Sequence, residues 1–319
     1  MAEDYVYEMF KEAIEEVIQE KIEKSASEKE IEKLTSQKHI SDTYNKIVKH
    51  ISNDFVKAIE NFMYEKVLTE DAYVNEFLAR QNQKWGQAFV VSDVLYLCVL
   101  ESAETYVKYV NETYGQKVSF LYRALLNIHG RALQIYLEIM CLNKNGFADG
   151  AYARWRSLYE LSVISAFISK YGEKVAEAFI KSAKTNDRYE WARTAECLKN
   201  YRTDRKITFD AIQSKCKIVT KEWRKEYSFA CKLVHASSQG TMYRLGADTS
   251  KGIPVGRTDF GMGISAMHSA ISLSQITTQF FTVYPHSDST VAIFTFRKWV
   301  NEIGKYYKRI EEIDQQIIK

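Results

Sequence analysis

Apolar residues recur along much of the chain at intervals of three and four, which is the period of an amphipathic helix. The strongest pattern lies in residues 131–167, where two apolar segments flank a polar break at residues 143–146. Gly146 suits the left-handed end of one helix, and the side chain of Asp149 can cap the start of the next. This pattern predicts a tight αα-hairpin at the centre of the fold.

The same period predicts helices on both sides of the hairpin, at residues 4–24, 41–67, 81–109, 173–200, 209–216, 221–236, 262–282 and 290–317, with a short helix starting at Thr69. The chain contains two prolines, Pro254 and Pro285, so it has few helix breakers. Residues 237–263 are rich in glycine and predict a long irregular loop. We expect an all-α protein, a multi-helix bundle with a central buried αα-hairpin and a Gly-rich loop between late helices.

Charge divides the chain unevenly, although the net charge of its 319 residues is only +3. Residues 1–70 carry 10 Lys/Arg against 16 Asp/Glu, whereas residues 181–235 carry 14 against 7. We expect residues 1–80 to form an acidic helical arm that docks a partner protein or a second copy of the chain, giving a homo-oligomer. Residues 81–319 are expected to form a helical core domain with a polar pocket.

Cysteine usage and apolar patterning indicate the compartment. The five cysteines contain no C-x-x-C spacing, which favours reduced thiols. The N-terminus lacks the pattern of a signal peptide, and no run approaches the roughly 18 apolar residues of a membrane span. We expect a soluble, cytoplasmic protein without membrane contact. The histidines show no metal-ligand spacing, so no metal and no cofactor is expected.

Charged side chains occur within the apolar hairpin, and such charges must be paired because desolvating a lone ion is costly. Folding the hairpin about a centre near Phe147 brings together positions whose numbers sum to about 294. That rule predicts two interhelical pairs, Glu138–Arg156 and Arg131–Glu160. A structural charge network and a ligand or catalytic site both remain open interpretations.

Two further regions suggest chemistry. His235 ends a helical segment and shares a face with Ser228, so it is a candidate acid or base near neutral pH, or a helix-end residue bonded to a carbonyl. Residues 181–235 interleave basic and aromatic side chains, which suits phosphate and base contacts in RNA or DNA, or simply a solvated helical surface.

Arg123 and His129 form an R-x5-H sequence, which resembles the R-x4-6-H signature of the HEPN ribonuclease superfamily. The resemblance implies a metal-independent ribonuclease whose site is usually shared by two subunits. A step of six residues along an unbroken helix separates two side chains by about 120°. The motif therefore requires a break in the helix near Gly130.

Three blocks in order resemble a bacterial domain family of unknown function, family 5677: GRALQIYLEIMCLNKNGFADGAYARWRSLYEL, YSFACKLVHASSQGTMYRLG and VGRTDFGMGISAMHSAISL. The resemblance extends from about Trp85 to Ser274, which leaves out most of the acidic arm. It implies a helical fold and a shared pocket, but no reaction. The pocket that it implies contains Glu138, Arg154, Arg156, Glu160, Tyr227, His235 and Arg257.

We expect this pocket to bind RNA or a nucleotide, as in a toxin or defence effector with HEPN-like ribonuclease activity. The candidate catalytic residues are Arg156 to hold phosphate, His235 to transfer protons and Glu160 to orient the arginine. The candidate binding residues are Arg131, Glu138, Arg154, Tyr227, Ser228 and Arg257. The rival hypothesis is a non-enzymatic interaction protein or oligomeric scaffold whose buried charges are structural.

Overall fold

The computed structural model describes residues 5–24, 27–34, 36–185, 187–201, 204–235, 238–242, 245 and 255–318. These residues form helices and contain no strand, so the predicted all-α, multi-helix fold is confirmed. The α-helices are α1 (Tyr5–Glu23), α2 (Glu28–Leu34), α3 (Gln37–Tyr114), α4 (Phe120–Lys144), α5 (Ala148–Tyr171), α6 (Glu173–Ser182), α7 (Phe209–Gln213), α8 (Lys221–Val234), α9 (Ser238–Met242), α10 (Met262–Phe281) and α11 (Ser287–Ile318).

Helix α3 runs without a break through 78 residues. The predicted separate helices with a start at Thr69 are therefore wrong. No glycine or proline occurs between Gln37 and Trp85, so nothing in the sequence interrupts the helix. Thr69 does not act as a cap, because its hydroxyl donates to the carbonyl of Glu65 at 2.9 Å, one turn earlier in the same helix.

The chain divides into two compact units, Met1–Asn75 and Glu76–Lys319. The first unit contains α1, α2 and the N-terminal half of α3. In this half of α3 most side chains are exposed, including large apolar ones.

The second unit is built on α4, α5 and α10, which pack against one another, and α11 packs on α10. The C-terminal half of α3 joins this core through buried hydrogen bonds. Tyr136 of α4 donates to the carbonyl of Ser92 at 3.0 Å, and the hydroxyls of Ser92 and Tyr307 lie 3.1 Å apart. The largest fully buried side chains come from all five helices, among them Trp85, Trp155, Tyr106, Tyr136, Tyr152, Tyr307, Phe167 and Phe280.

The turn of the central hairpin has the predicted glycine geometry. Gly146 adopts φ 78°, and the N–H of Phe147 donates to the carbonyl of Leu142 at 2.9 Å, which closes the end of α4. A Cβ at Gly146 would lie 2.6 Å from Phe77 Cζ and 2.9 Å from the carbonyl oxygen of Thr258. The turn therefore requires glycine both for its backbone conformation and for space.

Two predictions after the hairpin need correction. The helix predicted to reach Asn200 ends at Ser182, and two short 3₁₀ turns at Glu190–Thr194 and Glu196–Leu198 replace its second half. The Ser182 hydroxyl donates to the carbonyl of Phe179 at 2.7 Å, a local bond that competes with helix continuation. The predicted irregular loop contains α9, and most of its remaining length, residues 243–254 apart from Leu245, lies outside the described residues.

One helical stretch among the described residues, residues 37–117, is long and apolar enough to cross a membrane by length and composition alone. Of its most apolar window, 39% is buried inside the protein. This is weak evidence, because core helices of soluble proteins pass the same test. The expectation of a soluble protein without membrane contact stays a prediction.

Candidate functional site

Most of the predicted pocket residues take part in three groups of hydrogen bonds and ion pairs, centred on Glu138, on Glu160 and on Arg257. Each group joins a different pair of elements of the second unit.

The first group joins α4 and α5 through Glu138. Its carboxylate accepts a short charge-assisted hydrogen bond from Arg154 Nε. Arg131 Nη1 lies 3.9 Å away, at the limit of an ion pair, and Gln134 donates at 3.4 Å. Partial desolvation is the largest single influence and raises the pKa of the Glu138 carboxyl. The hydrogen bond and charge of Arg154, with smaller contributions from Gln134 and Arg131, together lower this pKa by more, so the net shift is downward.

The second group, here called the Glu160 cluster, consists of Arg156 and Glu160 from α5, Tyr227 and Cys231 from α8, and Arg188. Arg156 Nη2 lies 2.8 Å from Glu160 Oε1, and the Tyr227 hydroxyl donates to the same oxygen at 2.7 Å. Arg156 also donates to the Tyr227 hydroxyl at 3.2 Å and to Cys231 Sγ at 3.1 Å. Arg188 Nη2 approaches the other carboxylate oxygen at 3.6 Å.

The members of the Glu160 cluster satisfy one another, and its central ion pair is little exposed, although Arg188 is mostly exposed. The side chains of Arg156 and Glu160 are 23% and 11% accessible. Burial and the hydrogen bond to Glu160 raise the pKa of the Tyr227 phenol, which stays protonated and acts as a donor. Burial lowers the pKa of the Arg156 guanidinium, but its contacts with Cys231 and Glu160 raise it more, so it stays charged. The cluster has the properties of a structural network between α5 and α8.

Both predicted interhelical pairs, Glu138–Arg156 and Arg131–Glu160, are wrong. The rule that pairs positions whose numbers sum to about 294 considers only the distance along each helix. It ignores the direction in which each side chain points around the helix axis. Two residues along a helix turn a side chain by about 200°, so Arg154 faces α4 while Arg156 faces α8. The pair Arg156–Glu160 forms within one helix in spite of its less favourable order. Glu160 is held there by Tyr227 as well.

Arg257 belongs to the hairpin turn. It donates to the backbone carbonyl of Asn145 at 2.7 Å and to its side-chain oxygen at 3.2 Å, and it lies 4.8 Å from the ring centroid of Phe147. A positive side chain at the C-terminus of α4 also complements the helix dipole. Asp149 does not cap α5 as predicted. It accepts from the N–H of Leu245 at 2.7 Å and so anchors the segment after α8.

His235 and Ser228 are exposed on α8 and its C-terminal end. Neither side chain makes a hydrogen bond or an ion pair with Arg156, Glu160 or any other described residue. The segment turns to an extended backbone at His235, with φ −86° and ψ 140°, so the helical face expected to continue from Ser228 ends there.

The R-x5-H sequence is not assembled as a site. Helix α4 continues through Gly130, so the break that the motif requires does not occur. Arg123 is exposed, whereas His129 is 2% accessible and lies 3.1 Å from the hydroxyl of Thr277. Burial lowers the pKa of His129 to about 4, so this imidazole is neutral at physiological pH.

The sequence analysis missed Cys231 and Arg188 as members of the Glu160 cluster. A signal for Cys231 was present, because Tyr227 and Cys231 are four residues apart and share the face that α8 turns toward α5. No comparable signal existed for Arg188, which reaches Glu160 from the irregular segment after α6. No group of three or more His, Cys, Asp or Glu side chains suited to a metal occurs in the described part of the chain.

The comparisons with known proteins identify a family for part of the chain. Residues 122–253 match the model of a family of unknown function, DUF5677, which confirms the resemblance for this segment. The match covers the central hairpin and α8. It is shorter than the expected span from about Trp85 to Ser274 and leaves out the third block. No curated protein and no solved structure matches the chain.

Proposed function

We propose that this protein is a non-enzymatic interaction protein that self-associates through the N-terminal half of α3. The observation that carries the proposal is an apolar face on this helix, here called the arm face: Tyr44, Ile47, Ile51, Phe55, Ile59 and Phe62. These residues follow one another at steps of three and four and so lie along one side of the helix.

The large apolar side chains of the arm face are exposed to an extent that calls for a packing partner. Phe55, Ile59 and Phe62 are 58%, 53% and 48% accessible within the described chain. The neighbouring Val56, Met63 and Val67 widen the apolar surface and are also exposed. Contiguous exposed apolar surface of this kind marks an interaction site. Helical stability in proteins comes mainly from packing such a face, which supports a partner helix as its occupant.

The distribution of charge favours a second copy of the chain in antiparallel orientation. Residues 37–50 contain three lysines and one aspartate, whereas residues 54–71 contain five carboxylates and two lysines. In an antiparallel pair the basic segment of each copy lies beside the acidic segment of the other. In a parallel pair like charges would meet at both ends.

A cytoplasmic location is compatible with this proposal. All five cysteines are free, and Cys98 and Cys141 are exposed, which is compatible with a reducing compartment. The Glu160 and Glu138 groups then serve to fix the packing of α4, α5 and α8, in agreement with their mutual satisfaction.

The double variant Phe55→Glu/Phe62→Glu tests the proposal, with Asn53→Glu/Asn61→Glu as its control. Both variants add two negative charges to the same helix, but the asparagines lie away from the arm face. We expect light scattering after size exclusion to give twice the mass of the chain for the wild type and the control, and a monomer for the phenylalanine variant. A monomeric wild type, or capture of the wild type by lipid vesicles through this face, would refute self-association.

RNA or nucleotide binding is a second candidate, which the basic segment supports. Lys199, Lys217, Lys221, Lys225 and Lys232 are exposed and form no ion pair within the described chain. Ribonuclease activity is not part of this candidate function, because Arg156 is paired with Glu160 and His235 contacts neither of them. Titration of a labelled 20-nucleotide RNA at two salt concentrations tests this candidate: binding that weakens with salt supports it, and absent binding at low salt removes it.

A further inference from the structure

A groove between α10 and α11 has the chemistry of an anion site. It has a volume of about 420 Å³, which lies within the range of small-molecule sites. Arg297 and Asn301 line it from α11, and Gln275 and Gln279 line it from α10. None of the described residues that line the groove is acidic.

Arg297 is the only cation among the described lining residues, and it has no carboxylate partner in the described part of the chain. Its one aromatic contact is with the ring of Phe294, at 5.9 Å from the centroid. This arginine therefore differs from Arg154, Arg156 and Arg193, each of which is paired with a glutamate. An unpaired guanidinium can bind an oxyanion with two parallel hydrogen bonds.

The amide of Gln275 is oriented by the core. Ser162 is buried, and its hydroxyl donates to Gln275 Oε1 at 2.8 Å. This bond assigns the oxygen to the buried side and leaves the NH₂ group as a free donor. The side chains of Gln279 and Asn301 make no hydrogen bond with a described residue, so they are available to a ligand.

The groove also has an apolar part, formed by Ile271 and Val300. An apolar wall beside one cation and several amide donors distinguishes it from an ordinary solvated surface. We propose that the groove binds a small organic anion, whose oxyanion pairs with Arg297 and whose short apolar part packs on Ile271 and Val300. A carboxylate and a phosphate share this chemistry.

Thermal unfolding of the full chain in sodium butyrate, in sodium phosphate and in butylammonium chloride, at equal ionic strength and pH 7.5, tests the proposal. We expect butyrate or phosphate to raise the Tm of the wild type in a saturable way, because a ligand that binds the folded state stabilises it. Butylammonium has the same apolar chain as butyrate with the opposite charge, and it should leave the Tm unchanged. A response to only one of the two anions identifies the preferred oxyanion.

Arg297→Gln and Lys298→Gln supply the matched comparison, because both remove one exposed cation from neighbouring positions of α11. We expect Arg297→Gln to weaken the apparent affinity at least about tenfold, as the loss of a charged hydrogen bond does, and Lys298→Gln to leave it unchanged. Two results overturn the proposal: no rise with either anion up to 50 mM (a concentration on the order of 10 times a Kd of about 5 mM), or an equal rise in Arg297→Gln.

Discussion

At the scale of single residues, the charged side chains of the hairpin form specific ion pairs and hydrogen bonds. Glu160 forms an ion pair with Arg156 and accepts a hydrogen bond from Tyr227. That charges in the hairpin would be paired was predictable from the cost of burying a lone ion. Which residues form the pairs could not be predicted, because the pairing depends on the rotation of α5 about its axis between α4 and α8.

Removal of the Glu160 charge should destabilise the fold. Glu160→Gln leaves Arg156 charged without its counter-ion, and breaking a pair with this little exposure costs about 3 kcal/mol. Urea unfolding of this variant is compared with Glu177→Gln, which removes one partner of the i,i+4 pair with Lys181. We expect that control to change the free energy of unfolding by less than about 0.5 kcal/mol, because Lys181 is mostly exposed. Equal stabilities of the two variants would show that the Glu160 cluster is not structural.

His129 should make stability depend on pH. Its pKa in the folded protein is about 4, whereas a histidine in an unfolded chain titrates near about 6.5. Between these values the unfolded state binds the extra proton, so this contribution is fully present above about pH 6.5 and is lost as the pH falls toward 4, by about 2 kcal/mol at pH 5.

The measurement is urea unfolding at pH 7.5 and pH 5 of the wild type, His129→Gln and His39→Gln. His39 is exposed and serves as the control. His129→Gln should lose less stability than the wild type on acidification, by about the same 2 kcal/mol, and His39→Gln should follow the wild type. If His129→Gln also follows the wild type, burial does not hold this imidazole neutral.

At the scale of elements, the central hairpin shows how far local sequence signals reach. Apolar periodicity and Asn-Gly predicted two helices and their turn, and Gly146 has the expected left-handed backbone. The helix predicted through Asn200 failed because hydroxyl groups near Ser182 satisfy the backbone locally. Thr69 and its acidic neighbours imitated a helix start, although the helix continues through them.

Replacement of Gly146 in the hairpin turn should destabilise the protein, whereas replacement of Gly130 within α4 should not. Gly146→Ala places a Cβ 2.6 Å from Phe77 and imposes positive φ on alanine, so we expect a loss of more than about 2 kcal/mol. A Cβ at Gly130 meets nothing within 4 Å, so Gly130→Ala should stabilise the helix by about 0.5–1 kcal/mol. Chemical denaturation measures both. A neutral Gly146→Ala would contradict the described turn.

At the scale of the whole molecule, sequence composition predicted an all-α protein and an acidic N-terminal arm. Of the residues that the family resemblance placed in one pocket, Arg156, Glu160 and Tyr227 lie together, Arg257 docks on the hairpin turn and His235 lies outside the Glu160 cluster. Spacing along a sequence does not report which face of a helix meets which neighbour. The proposed self-association accounts for both the apolar residues of the arm face and its divided charge.

Charge reversal on the arm tests antiparallel self-association most directly. Lys38→Glu/Lys46→Glu/Lys49→Glu makes both segments acidic and should weaken the dimer in sedimentation equilibrium, most strongly at low salt. Adding Glu60→Lys/Glu65→Lys/Glu70→Lys to the same chain exchanges the two charges and should restore the dimer. If the exchanged chain stays as weak as the first variant, or if neither set changes association, the two copies do not pair in antiparallel orientation through α3.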